Sequence, residues 1–194
     1  MRPRRLGVVV TSRHDSYADA ICDALGRLEA LGLRWFLTGS EALGLYASPR
    51  QTVDTDVVVE LPIERFEETF TPFQDAFVIA RPIRAERRWL ASLVSLDGWG
   101  KVDIILRDGD AWGRDALDRR RSFDHPIYGR VWLSSPEDLL LAKLEWSGGR
   151  SELQLRDCVS LVRDNPALDV VYLDRQAVAL GVADLLDRVR QDAS

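Results

Sequence analysis

The sequence predicts an α+β fold, with an α/β half over residues 1–133 and an all-helical half over 134–194. Three observations carry that prediction. The stretch from Trp35 to Val59 reads as strand, tight turn, short helix, loop and strand. Two alternating apolar runs, Trp89 to Leu96 and Lys101 to Leu106, flank Asp97-Gly98, a hairpin signal. After Ser134 only helical periodicity remains.

The elements follow in chain order. Leu6 to Val10 is a short strand or an extended arm. Tyr17 to Leu31 carries Ile21, Leu25 and Leu28 at helical spacing and stops at Gly32, a C′ residue. The strand from Trp35 to Thr38 ends at Gly39-Ser40, where Ser40 is the expected N-cap of a helix over Glu41 to Tyr46. A second strand begins with Asp54 and Asp56 and continues through Val57 to Val59. Pro62 opens a helix to about Phe70, and Phe77 to Ala80 is a short strand. Pro82 to Arg88 is ambiguous. In the run from Lys101, Asp103 shares a face with Lys101 and Ile105, so Val102, Ile104 and Leu106 face the core. Asp110 to Arg120 is helical, and Ser122 to Leu133, with Tyr128-Gly129-Arg130 in it, is extended or hairpin structure. In the second half, Ser135-Pro136 with Glu137 and Asp138 starts a helix that Gly148-Gly149 breaks. Ser151 and Gln154 form a capping box for the next helix, and Leu155, Cys158, Val159 and Val162 make its apolar stripe. Two further helices span about Asp169 to Leu180 and Val182 to Arg190.

Composition sets bounds. The chain has 194 residues, 46% of them hydrophobic, which supports a packed core. A net charge of −5 gives no broad footprint for nucleic acid. The arginines at 81, 84, 87 and 88 and those at 119, 120 and 121 read as solvated surface. Cys22 and Cys158 read as small buried apolar residues, and His14 and His125 as incidental, so no zinc-ligand set exists. The six tryptophans lack regular spacing and read as core and rim residues rather than as a base-stacking platform. Neither a signal h-region nor a long apolar run is present, so a cytoplasmic protein with no membrane partner is expected.

The chemistry concentrates in two places. Asp54 and Asp56 lie on one face of a strand, and their mutual repulsion is relieved by a divalent cation such as Mg²⁺ or Mn²⁺. Gly39-Ser40 opens a helix N-terminus, which suits a phosphate. Together these suit a metal–nucleotide complex. Asp103 is a third strand carboxylate, with Lys101 as a competing ion-pair partner. Lys143 either snorkels past Leu139, Leu140 and Leu144 or contacts a phosphate. The apolar run follows the acidic pair, which disfavours a haloacid-dehalogenase-like phosphatase.

The Gly39-Ser40 turn, the short helix, Asp54-x-Asp56 and the later Asp103 resemble the DNA polymerase beta-like nucleotidyltransferase superfamily. The run Arg50-x-Thr52-x-Asp54-x-Asp56 is similar to that of its small bacterial members, the abortive-infection and toxin–antitoxin nucleotidyltransferases. The resemblance implies a mixed sheet flanked by helices. It also implies Asp54, Asp56 and Asp103 as catalytic residues and ligands of two Mg²⁺ ions, and nucleotide contacts from Gly39, Ser40, Arg50, Lys143 and Asp157. The implied reaction moves a nucleoside monophosphate from an NTP to an acceptor hydroxyl on tRNA, protein or a small molecule. The competing reading is a non-catalytic nucleotide-binding or antitoxin-like regulator on the same fold.

Overall fold

A computed structural model describes residues 13–48, 54–85, 87–107 and 110–193. The strands, in chain order, are β1 Trp35–Leu37, β2 Thr55–Glu60, β3 Phe77–Ile79, β4 Ile83–Ala85, β5 Arg88–Ser95, β6 Lys101–Arg107, β7 Arg121–His125 and β8 Gly129–Leu133. Among the described residues they form one mixed sheet in the order β3-β5-β6-β2-β1-β8-β7, with β4 also paired to β5. The centre is parallel: β2 and β6 align so that Asp56 faces Asp103, Val57 faces Ile104 and Val59 faces Leu106. β1 runs antiparallel to β2, and β5 antiparallel to β6. Alternation on β6 is as expected, since Val102, Ile104 and Leu106 are buried in the core. The ambiguous stretch after Pro82 resolves into β4, a three-residue edge strand too short to show a period.

The helices are α1 Tyr17–Ala30, α2 Gly39–Tyr46, α3 Phe66–Phe70, α4 Ala111–Arg119, α5 Pro136–Ser147, α6 Glu152–Asp164, α7 Val170–Leu180 and α8 Ala183–Ala193. Ser16 caps α1 by accepting from the Asp19 N–H. Ser135 does the same for α5 from Asp138, and Gly148 ends α5 in the left-handed region that suits glycine. α5 buries most of its circumference because it packs on α2 as well as on α6 and α7. One continuous core runs from Val57 and Ile104 in the sheet to Leu140, Leu144 and Leu161 in the helices.

Several sequence expectations need correction. The helix expected from Pro62 to Phe70 is a 3₁₀ turn, Ile63–Arg65, then α3, then a second 3₁₀ turn, Thr71–Asp75. Pro72 lacks the N–H that would bond the Glu68 carbonyl, so the α-helix cannot run on. Cys22 is exposed rather than buried. The wet side of α1 begins there, one residue past Ile21 in the stripe of Ile21, Ala24, Leu25 and Leu28. The capping box on α6 is half made: the Gln154 N–H bonds Ser151, but the Gln154 side-chain carbonyl accepts from Lys143.

Neither histidine is incidental. His14 is buried, with Nδ1 3.0 Å from Ser95 Oγ and Nε2 3.0 Å from Asp23 Oδ2. The backbone N–H groups of Arg13 and His14 both donate to Asp97 Oδ2, which ties the segment before α1 to the β5–β6 turn. His125 Nδ1 accepts the N–H groups of Ile127 and Tyr128, so its proton sits on Nε2, 3.3 Å from Glu41 Oε1. Leu6 to Val10 lies outside the described residues. Among the described residues no helix is long and apolar enough to cross a membrane.

Candidate active site

Alternation places the carboxylates. Val57 and Val59 on β2, and Val102 and Ile104 on β6, are fully buried and pin both strands. Asp56 and Asp103 are therefore held side by side in the pairing register. Asp54 sits just before β2 and is more exposed. Burial, then the Asp103 and Asp54 charges, pushes the Asp56 carboxyl up to about 6. Crowded negative charge in a poorly hydrated place is thus the electrostatic character of the site.

Lys101 partly answers that charge. Its Nζ lies 2.9 Å from Asp103 Oδ2 and 3.1 Å from Asp54 Oδ2, and those contacts raise its own pKa, Asp103 first. Ser92 Oγ donates to Asp103 Oδ1 at 2.5 Å. Among the described residues the carboxylates do not already form a metal-ready cluster, because an ammonium lies between two of them. The donor set nonetheless fits a hard divalent cation: all its ligands are oxygens, and the buried member carries charge that its surroundings resist.

The turn before α2 is built around Asp56. Gly39 has φ +63°, and a Cβ placed there would lie 1.9 Å from Asp56 Oδ2. Only glycine permits both the backbone angle and the approach of that carboxylate. Ser40 is not the N-cap, contrary to the sequence reading. Thr38 holds that position without a side-chain cap bond, and its carbonyl accepts from the Ala42 N–H. The helix starts earlier because the Thr38 N–H is fixed by the Asp56 carbonyl across β1 and β2. Ser40 is instead the second helical residue and lines the cavity.

That cavity is about 480 Å³. Gly39, Ser40, Asp56 and Asp103 line one part of it; Ile83 and Leu90 from the sheet and Leu139, Lys143 and Trp146 from α5 line the rest. Lys143 does not snorkel. It is only 4% exposed, and its Nζ contacts Asp157 Oδ2 at 2.8 Å and Gln154 Oε1 at 3.1 Å. Asp157 is therefore its buried counter-ion, whereas the adjacent Arg156 is exposed and pairs with Glu152. Arg50 lies outside the described residues.

Sequence reasoning also missed Arg88. Rather than a solvated arginine, it is buried, lines the cavity and bonds Glu145 Oε2 at 2.8 Å. Arg107 shares that carboxylate oxygen at 2.9 Å. The only available signal was weak, two arginines at opposite ends of adjacent strand runs with one glutamate on a helix.

No protein-family model and no curated protein matches the sequence. Solved structures do resemble it. A nucleotidyltransferase-like antigen from Paracoccidioides brasiliensis superposes with a TM-score of 0.52 at 16% identity, covering 91% of this chain and 93% of that one. A candidate nucleotidyltransferase from Thermotoga maritima gives 0.53 at 20%, covering 72% and 90%. ANT(2")-Ia, in complex with adenylyl-2"-tobramycin, gives 0.54 at 14%, covering 91% and 98%. The α+β fold is the one these nucleotidyltransferase structures share.

Proposed function

We propose that this chain, which has the nucleotidyltransferase fold, is a metal-dependent nucleotidyltransferase. In this reading it moves a nucleoside monophosphate from an NTP to a hydroxyl and releases pyrophosphate. The observation that carries the reading is the contact between the Gly39 turn and the Asp56 carboxylate, with Asp103 alongside, all in one cavity. A helix-opening glycine turn of the kind that suits a phosphate and carboxylates of the kind that suit a hard cation share one cavity, which supports a single metal–phosphate ligand for both. The adenylyl-2"-tobramycin bound to ANT(2")-Ia makes a small-molecule hydroxyl the first acceptor class to screen, ahead of tRNA and protein.

Each residue then has a task. The N–H groups of the Gly39-Ser40 turn and the Ser40 hydroxyl hold phosphate oxygens, and Lys143 supplies positive charge from the cavity wall. Asp54, Asp56 and Asp103 would hold Mg²⁺ or Mn²⁺, which supplies neutralisation of the triphosphate and of the departing pyrophosphate. Asp103 takes the acceptor hydroxyl's proton as the hydroxyl oxygen bonds to the α-phosphorus and the bond to pyrophosphate breaks. Because the work is positioning and charge placement, no nucleophilic Cys or His is required.

The test uses NTP with Mg²⁺. Thermal stability should rise by about 2.7 kcal/mol when the nucleotide is at 100 times its Kd, and pyrophosphate should appear once an acceptor is supplied. Asp54→Asn with Asp56→Asn should lose both responses while keeping the fold; undiminished Mg²⁺-dependent binding would remove these carboxylates from the site. The non-catalytic alternative draws on Lys101, which can neutralise Asp54 and Asp103 without a metal. It predicts nucleotide binding with no pyrophosphate from any acceptor.

Ser40→Ala separates a phosphate contact from a structural one. With no cap bond to lose, stability should move by less than about 0.5 kcal/mol. NTP affinity should fall about 10-fold or more, the worth of a hydrogen bond to a charged group. Paired melting and titration curves check this, and normal affinity would leave Ser40 a bystander.

A further inference from the structure

One wall of the cavity has a feature that phosphate and metal binding do not use. Leu139, Ala142, Lys143 and Trp146 occupy one face of α5 and all line the cavity. Trp146 is 52% exposed, unusual for so large an apolar ring on a helix whose other positions are mostly buried. Arg88 lies over it, with Cζ 4.8 Å from the ring centroid. That guanidinium is fixed by Glu145, which is fixed in turn by Arg107, and Arg107 stacks on Trp112 at 4.2 Å. The Trp146 ring thus has a buried, ion-paired cation over one face and lines the cavity. Ile83 and Leu90 line the same cavity from the sheet.

The cavity lining consequently combines polar groups at Gly39, Ser40, Asp56 and Asp103 with an aromatic surface at Trp146. Lys143 lines it too, one turn before Trp146 on the same helix. Those two chemistries match a nucleoside triphosphate, anionic at one end and planar and aromatic at the other. Resting on the nucleotidyltransferase reading above, we infer that Trp146, held by Arg88 over one of its faces, offers its other face as the stacking platform for the nucleobase of the donor NTP. Stacking uses the π-face that every base has, so the platform accepts purines and pyrimidines and favours the larger purine surface.

The experiment compares calorimetric titrations of Mg²⁺–ATP and of Mg²⁺–tripolyphosphate, which has the phosphates and no base. Wild type should bind ATP more tightly than tripolyphosphate. Trp146→Ala should weaken ATP by about 5- to 150-fold, the range that base–aromatic stacking commands, and leave tripolyphosphate unchanged. Trp146→Phe should restore much of the ATP affinity. The ring is half exposed, so both variants should melt close to wild type. Equal ATP affinity in wild type and Trp146→Ala, or an equal loss for both probes, would overturn the platform. Wild type binding tripolyphosphate without preferring any of the four NTPs would also overturn it while leaving the phosphate site standing. Binding of neither probe would overturn the nucleotide reading along with it.

Discussion

Asp103→Asn should reduce pyrophosphate release by about 10²–10⁴-fold, the usual worth of general-base help, while leaving most of the NTP affinity in place. Asparagine matches the shape of aspartate and can still accept the Ser92 hydroxyl hydrogen bond, but it cannot take a proton. The strand should not notice, because Val102 and Ile104 on either side are buried and hold β6 in register with β2. Lys101 would lose one of its two carboxylate partners and keep Asp54. Since these groups are partly exposed, that loss is worth about 1 kcal/mol or less. Pyrophosphate release and NTP titration on the same preparations decide the matter. Equal turnover in both proteins would mean that Asp103 moves no proton.

Gly39→Ala should be more damaging, because it strikes backbone and site together. A residue with a Cβ at φ +63° costs roughly 1–2 kcal/mol. The new methyl would also fall 1.9 Å from Asp56 Oδ2 and 2.8 Å from its Cγ. All the nearest atoms belong to Asp56, so the side chain that yields is the proposed ligand. A displacement of about 1 Å is enough to cost on the order of 10²-fold in activity, and a similar loss of Mg²⁺-dependent NTP binding is expected. Adding Asp56→Ala should return part of the lost stability but none of the binding, since most of the collision goes while the backbone strain stays. Melting curves on the single and double variants test the coupling. Wild-type NTP affinity in Gly39→Ala would show that the approach of turn and carboxylate is not what the site depends on.

Periodicity made much of this legible in advance. β5 and β6 announce themselves by alternation around Asp97-Gly98, and α5 by Ser135-Pro136 at one end and Gly148 at the other. What the chain order could not reveal depends on partners far away in sequence. The helix at Gly39 begins earlier than Ser40 suggests because Thr38 is pinned to Asp56 by a backbone bond between strands. Arg88 looks like one of several surface arginines until Glu145, on a helix beyond the sheet, draws it inside. His14 matters only once Ser95, Asp23 and Asp97 converge on it. Lys143 was ambiguous from its apolar neighbours, and its burial becomes affordable only with Asp157 on the next helix. Local signals specify elements; long-range ion pairs specify which polar side chains go inside.

The residue-for-residue alignment of β2 with β6 has a consequence for quality control. Asp56 and Asp103 are neighbours for the same reason that Val57 meets Ile104 and Val59 meets Leu106. A shift of β6 by one position would turn Asp103 toward the interior and expose Val102, Ile104 and Leu106, each worth about 1.5–3 kcal/mol when buried. A folded molecule with a mismatched carboxylate group would therefore forfeit much of its stability, given that whole domains are held by only about 5–15 kcal/mol. The protein is thus protected against a well-packed form with separated carboxylates, because the alignment that brings Asp56 beside Asp103 is the one that closes the core.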